Sequence, residues 1–166
     1  MIRTATQLLV AVIVASPLIG QRNPPIEPNS LIGCWQSDTA EVSDGPTNCY
    51  RFFPDGKFIF EFSSYDETKR IVSLHGTYSL KMGLISFVIM SRVEREGGRI
   101  ERSPQSASGW YLRNGKLVTL KQANPEPEET DLALCSKPRQ KPLCITIGGS
   151  KFFQMSSNPR HKIGAN

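Results

Sequence analysis

Four cysteines and two histidines are the side chains of this 166-residue chain best suited to chemistry. No two cysteines have the Cys-x-x-Cys spacing of a metal site, so we expect no bound metal. Residues 1–20 have the pattern of a secretory signal peptide, and an even number of cysteines behind such a signal predicts disulfides. Four cysteines allow three connectivities. The local connectivity closes two short loops, and we predict the bonds Cys34–Cys49 and Cys135–Cys144.

The histidines and carboxylates do not form a catalytic pattern. A hydrolytic triad needs a histidine held between a nucleophile and a carboxylate. His75 falls on the polar face of a predicted strand, and His161 lies in a polar segment near the C-terminus. The acids Asp66-Glu67 lie in a predicted loop, where carboxylates are normally solvated. We therefore expect no enzymatic activity and no cofactor.

Short apolar runs separated by turn residues must position these side chains. From residue 30 onward the runs have the spacing of a β-sandwich or barrel, and no amphipathic helix of three turns is visible. Asp55-Gly56 and Asn114-Gly115 predict tight hairpin turns, and Gly148-Gly149 joins the last two predicted strands. Consecutive hairpins predict an all-β fold with a single antiparallel up-and-down barrel of about eight strands.

Alternating side chains predict an aromatic stripe inside this barrel. Phe58, Phe60 and Phe62 occupy every second position of one strand and therefore share a face. Tyr78 lies on the apolar face of the next strand, and we expect Phe87 and Leu112 as further inward neighbours. Two alternatives fit this pattern: the six side chains fill the barrel core, or they line a cavity for an apolar ligand.

The N-terminus has the order of a secretory signal peptide, with one positive charge, an apolar run and small residues up to Gly20. About a dozen residues are continuously apolar, whereas a spanning helix needs roughly 20. This favours a cleaved signal at residues 1–20 over an uncleaved anchor. Cleavage is expected after Gly20, with Ala15 as the alternative. We expect a secreted or periplasmic protein with no stable membrane span after cleavage.

The remaining chain is predicted to form one domain with two polar ends. Residues 21–30 contain three prolines, which predicts an extended leader. Residues 31–155 are predicted to form the barrel, and the polar residues 156–166 are predicted to be a disordered tail. The formal charge of +5 is a modest excess, both signs occur along the chain, and we take the charge to indicate solubility. The best basic group, Lys137, Arg139 and Lys141, has no interleaved aromatic residue, so nucleic-acid binding is not expected. We expect a monomer.

The first predicted strand carries Gly-x-Trp in Gly33-Cys34-Trp35, and Gly76-Thr77-Tyr78 follows two aromatic strands. Over roughly Leu31 to Gln122 this pattern resembles the lipocalin-like (calycin) β-barrels, and the resemblance is to a distant bacterial member. It implies that Gly33 permits a close backbone approach and that Trp35 closes the base of the barrel. The Thr-Asp-Tyr motif and the C-terminal helix of lipocalins are not apparent.

A barrel of this kind suggests two functions. The first is non-covalent binding of a small hydrophobic molecule by the aromatic stripe, without chemical turnover. The alternative is an envelope barrel that binds or inhibits another protein through its loops, as small periplasmic protease and lysozyme inhibitors of similar form do. A cavity of several hundred Å³ would favour the first function, and an exposed loop at Arg95–Ser108 would favour the second.

Overall fold

A computed structural model describes residues 26–39, 47–106, 108–135 and 141–163 of the chain. A four-residue helix, α1 (Pro28–Leu31), precedes eleven strands. The strands are β1 (Gly33–Gln36), β2 (Cys49–Phe52), β3 (Lys57–Glu61), β4 (Ile71–Lys81), β5 (Leu84–Glu96), β6 (Arg99–Arg102), β7 (Trp110–Arg113), β8 (Lys116–Lys121), β9 (Pro127–Leu134), β10 (Cys144–Ile147) and β11 (Ser150–Ser156).

Eight of these strands close into an antiparallel barrel. Strands β1 to β5 pair in sequence order, β5 then pairs with β9, and β9, β10 and β11 continue the ring. Pairing of β11 with β1 closes it. The predicted turns at Asp55-Gly56 and Gly148-Gly149 connect β2 to β3 and β10 to β11. The predicted all-β, up-and-down barrel of about eight strands is confirmed.

The chain between β5 and β9 departs from simple up-and-down order. Asn114-Gly115 predicts a hairpin turn between β7 and β8, and this prediction is wrong because β7 pairs with β6 while β8 pairs with β5. The β5–β8 ladder ends where Glu96 lies opposite Lys116. After Gly97-Gly98 the β6–β7 ladder begins, with Arg99 opposite Arg113. Positive φ angles at both glycines and at Asn114 mark a bend at this junction. Residues 91–121 therefore form one long bent hairpin, which we call the arm.

Inward-facing aromatic and aliphatic side chains fill the barrel. The ring of Tyr50 stacks on those of Phe52 and Phe87, each with a centroid distance of 5.4 Å, and meets Phe152 edge-on at 4.9 Å. The fully or nearly buried members of this core are Leu31, Trp35, Phe52, Phe58, Ile85, Phe87, Leu132, Ile145, Ile147 and Phe152. Close packing of this kind supplies most of the free energy that favours folding.

The predicted extended leader is partly folded. Pro28–Leu31 is helical, Leu31 is fully buried, and Ile26 packs against the core. The predicted leader at residues 21–30 is therefore wrong from Ile26 onward, because Ile26 and Leu31, on either side of Pro28, pack on the barrel. The predicted signal peptide, residues 1–20, lies outside the described residues. No helix among the described residues has the length and apolar character needed to cross a membrane.

The predicted disordered tail is also wrong for residues 157–163. Ile163 is buried against Cys34 and Cys49. The Arg51 guanidinium donates hydrogen bonds to the main-chain oxygens of Pro159 and His161, which fastens the segment to the outside of β2. We call residues 157–163 the C-terminal strap. The last three residues of the chain lie outside the described part.

Candidate functional site

Four of the six predicted ligand-binding residues face the barrel interior. Phe58 lies opposite Phe52, and Phe87 lies opposite Tyr78. The rings of Phe58 and Phe87 are 4.8 Å apart, and Phe60 contacts Tyr50 at 4.5 Å. These side chains contact one another, which favours the filled-core alternative for the stripe. Contact with a ligand stays a prediction for these residues.

The other two predicted ligand-binding residues lie elsewhere. Phe62 follows β3 at the rim of the barrel, where the Lys69 ammonium lies 4.2 Å from its ring centroid. Leu112 belongs to β7, and its N–H donates to the carbonyl oxygen of Glu67 at 3.1 Å. The prediction that Leu112 points into the barrel is wrong, because β7 pairs with β6 in the arm and joins no barrel strand.

Gly33 and Trp35, the predicted barrel-closing residues, lie next to α1. A Cβ atom on Gly33, whose φ is +140°, would overlap the carbonyl oxygen of Ser156 on β11. Only glycine therefore allows this close approach of β1 and β11. Trp35 is 1% exposed, and its Nε1 donates to the Leu31 carbonyl oxygen at 2.7 Å. This position beside α1 is where a residue that closes the barrel would lie.

The cysteines meet in the predicted pairs, but only one pair is bonded. The Cys135–Cys144 disulfide is confirmed, with a Cα–Cα distance of 5.1 Å. The predicted Cys34–Cys49 disulfide is wrong in this structure, since the two Sγ atoms are 3.2 Å apart, against about 2.05 Å in a bond. A hydrogen bond with Cys34, together with burial, raises the pKa of Cys49 well above its ordinary value. Both side chains are buried, and the raised pKa keeps the Cys49 thiol protonated near neutral pH.

His75 lies on the outer face of β4, as predicted. Its Nε2 is 2.8 Å from the Oγ of Ser73, and burial lowers the pKa of the imidazole. Ser73 is buried, and the nearby carboxylate of Glu61 accepts a hydrogen bond from Arg51 at 2.8 Å. The serine is closed to substrate and the carboxylate is held by an arginine, so this group does not form a working triad.

A cleft of about 480 Å³ opens at the end of the barrel opposite α1. Its apolar floor is formed by Ile71 and Leu74 on β4 and Ile89 on β5. Its polar rim includes Arg92 on β5 and the segment that leads from β8 into β9. This segment contributes Gln122, Asn124, Pro125, Glu126, Pro127 and Glu128.

Strand β5 builds this cleft by changing partner along its length. Leu84–Val88 pairs with β9, whereas Ser91–Glu96 pairs with β8. Between the two, Met90 has no partner on β4, because Ile89 and Ser91 face consecutive residues of that strand. This β-bulge bends the strand at the barrel mouth. The Met90 carbonyl oxygen accepts the Gln122 N–H at 2.9 Å, which holds the connecting segment beside the cleft.

Charges of both signs surround the apolar floor. Arg92 lies opposite Leu74, and its Nε donates to Glu94 at 2.9 Å. Glu128 lies opposite Phe87, on the inner side of β9. Burial, and secondarily the negative charge of Glu128, raises the pKa of Tyr50 to about 12. The mouth thus joins an apolar surface to groups that could orient a polar end of a ligand.

The cleft lining combines apolar side chains with charged and amide groups. Among the described residues that line the cleft, none is a histidine or cysteine that could act as a base or thiol nucleophile. No group of three potential ligands for a metal ion occurs in the described ranges. The lining offers hydrophobic contacts, hydrogen bonds from the rim and the carboxylates of Glu126 and Glu128.

Sequence reasoning did not predict the cleft residues. Leu74 alternates with polar residues along its strand, but the bulge that turns this face into a cleft floor is not visible in an alternation pattern. The segment Ala123–Thr130 has the proline and glutamate content of a loop, although β9 begins at Pro127 within it. Pro125 and Pro127 lie near the start of β9 and line the cleft. Prolines are typical of strand ends and edges, so they are the sequence feature that indicates where this strand begins.

No protein-family model matches the chain, and no curated protein or solved structure is significantly similar to it. The part of the lipocalin-like resemblance that the structure supports is the closed antiparallel barrel of eight strands.

Proposed function

We propose that this protein is a non-enzymatic binding protein that holds a small, largely apolar molecule in the cleft at the barrel mouth. The cleft volume of about 480 Å³ carries the proposal, since ligand pockets commonly measure about 300–1,000 Å³. The proposed site differs from the aromatic stripe, because the rings of the stripe occupy the space in which a ligand would lie.

Each part of the cleft has a distinct role in this proposal. Ile71, Leu74 and Ile89 bury the apolar part of the ligand, which is the main favourable term. Arg92 and the amide of Gln122 orient a polar end through hydrogen bonds. The filled barrel beneath keeps these groups in fixed positions, which lowers the entropic cost of binding.

We propose further that the protein is exported. The signal-like N-terminus supports this, as does the Cys135–Cys144 bond, because structural disulfides persist in oxidising compartments. The barrel would then meet its ligand outside the cytosol.

Titration with the neutral fluorescent dye Nile red tests the proposed binding site. We expect a dissociation constant near 1 μM, equivalent to about 8 kcal/mol. Asn124→Trp places a large side chain at the exposed rim and should weaken binding at least about tenfold by occupying the cleft. Asn158→Trp, at an exposed position in the C-terminal strap, is the matched control and should bind like the parent.

A second variant places a charge on the cleft floor. Leu74→Glu should also weaken dye binding, because a carboxylate opposite Arg92 replaces part of the apolar floor with charged groups that are costly to desolvate. Met82→Glu, at a side chain 88% exposed near the opposite end of the barrel, should not. Equal affinities for the parent and Asn124→Trp, or no dye binding at all, would contradict the proposal.

A further inference from the structure

The arm carries most of the net charge of the chain. Residues 91–121 contain seven basic and three acidic residues, a net +4, against +5 for the whole chain. The basic residues lie along one two-stranded ribbon, and at its outer end Arg102 is on one face while Arg99 and Arg113 are on the other. Arg113 is paired with Glu101 at 3.2 Å, while Arg99 and Arg102 are exposed. A concentration of positive charge of this kind attracts an anionic partner.

The outer part of the arm also exposes large apolar side chains. Ile100 is 56% exposed and Trp110 is 42% exposed. In the β6–β7 ladder, Arg102 lies opposite Trp110 and Ile100 lies opposite Leu112. Because successive positions alternate between faces, Ile100, Arg102 and Trp110 share one face of the ribbon. We call these three residues the arm face.

Local contacts hold the arm face in place. The Arg102 guanidinium lies 5.0 Å from the centroid of the Trp110 ring, a cation–π contact. The hydroxyl groups of Ser106 and Ser108 donate to the Trp110 carbonyl oxygen at 2.7 and 2.8 Å. At the base of the arm, Arg70 donates to the Gly97 carbonyl oxygen at 2.8 Å. The apolar and cationic groups are therefore presented together by an ordered hairpin.

We propose that the arm face binds an anionic lipid surface. Tryptophan places an apolar ring and a polar N–H at the boundary between headgroups and acyl chains, and arginine keeps its charge in the headgroup layer. Exposed apolar side chains combined with positive charge are the two elements of binding to the membrane surface. None of the three residues of the arm face lines the cleft at the barrel mouth, so this inference is independent of the proposed ligand.

Sedimentation with lipid vesicles tests this inference on the full chain. We expect at least about tenfold stronger binding to phosphatidylcholine vesicles containing about 30% phosphatidylglycerol than to pure phosphatidylcholine, with the difference lost in high salt. The emission of Trp110 should shift to the blue on binding. Trp35, the other tryptophan of the chain, is already buried and should contribute no shift.

Two charge-reversal variants distinguish the effect of the arm face on vesicle binding from the effect of the net charge of the protein. Arg102→Glu and Lys81→Glu change the net charge equally, and Lys81 is exposed at the end of β4 remote from the arm. Arg102→Glu should weaken vesicle binding at least about tenfold, and Lys81→Glu less than about threefold. Equal effects of the two variants, an unshifted tryptophan emission, or no binding to anionic vesicles would overturn the inference. Absence of binding would leave the arm as a surface for an acidic protein.

Discussion

Tyr50 is the residue at which the aromatic core of the barrel converges. Its ring contacts those of Phe52, Phe58, Phe60, Phe87 and Phe152. Aromatic pairs in offset or edge-on arrangements add free energy beyond that of buried area. The phenol therefore lies in an apolar surrounding, with the carboxylate of Glu128 as the nearby charge that acts on it.

The environment of Tyr50 predicts a loss of stability at high pH. Its pKa of about 12 in the folded protein exceeds the ordinary value of 10.0, so the folded state holds its proton more tightly than the unfolded state. The resulting stabilisation is complete below pH 10 and is lost as pH rises through 12. Between pH 10 and pH 12 we expect the melting temperature of Tyr50→Phe to fall less than that of the parent, because phenylalanine has no phenol to ionise. An identical fall in both proteins would contradict the assignment.

Trp35 should contribute strongly to the stability of the barrel. Trp35→Ala is expected to lower the free energy of unfolding by about 3–5 kcal/mol, the cost of deleting a large buried aromatic side chain. Trp110→Ala removes the same side chain from an exposed position and should cost less than about 1 kcal/mol. Denaturant unfolding of both variants measures the difference. Similar values for the two would argue against Trp35 as a residue that closes the barrel.

The inward aromatic residues could be predicted because a strand has a period of two. Phe58, Phe60 and Tyr78 were placed correctly from this pattern, and Tyr50 alternates with charged Arg51 in the same way. Leu112 has an equally apolar neighbourhood in the sequence, yet it lies outside the barrel. The alternation pattern shows which residues of a strand share a face. It does not show which strand pairs with that strand, and this pairing decides whether the face points into the barrel.

At the scale of elements, the arm shows how tertiary pairing overrides a local turn preference. Asn114-Gly115 has the residues of a two-residue hairpin turn, and Asn114 does adopt a positive φ of 58°. Strand β5 is 13 residues long, however, and offers β8 a partner beyond the part that pairs with β9. The positive φ therefore bends the ribbon instead of reversing the chain.

The C-terminal strap shows a second limit of sequence patterns. Its residues are mostly polar, and polarity near a terminus usually indicates disorder. Main-chain oxygens of the strap accept hydrogen bonds from Arg51, and Ile163 covers the two thiols. Backbone acceptors leave no compositional signal, so only the single isoleucine could have indicated this packing.

Removal of the strap should expose the thiol pair. In the full chain, iodoacetamide should label neither Cys34 nor Cys49 near neutral pH, because both are fully buried and the pKa of Cys49 is raised. Truncation after Ser156 should allow labelling of both residues in the native protein, as mass spectrometry would show. The full chain denatured without reductant should yield the same two labels. Labelling of the native full chain would be inconsistent with this packing.

Over the whole molecule, we propose separate roles for the filled interior and for the two surface features. Packed side chains occupy the barrel core, and the mouth cleft and the arm are the surfaces proposed to bind partners. The barrel architecture followed from turn residues and alternation, both of which are local. The cleft depends on a bulge and on a change of strand partner, and neither has a sequence signature of its own.

Mapping of backbone amide shifts by NMR during a Nile red titration tests the central claim most directly. Binding at the mouth predicts shifts concentrated in residues 71–74, 89–92 and 122–128, which surround the cleft. Amides of the filled core, such as Trp35, Phe52 and Ile145, should keep their positions. Shifts concentrated at those three core residues, or no shifts at saturating dye, would contradict binding at the barrel mouth.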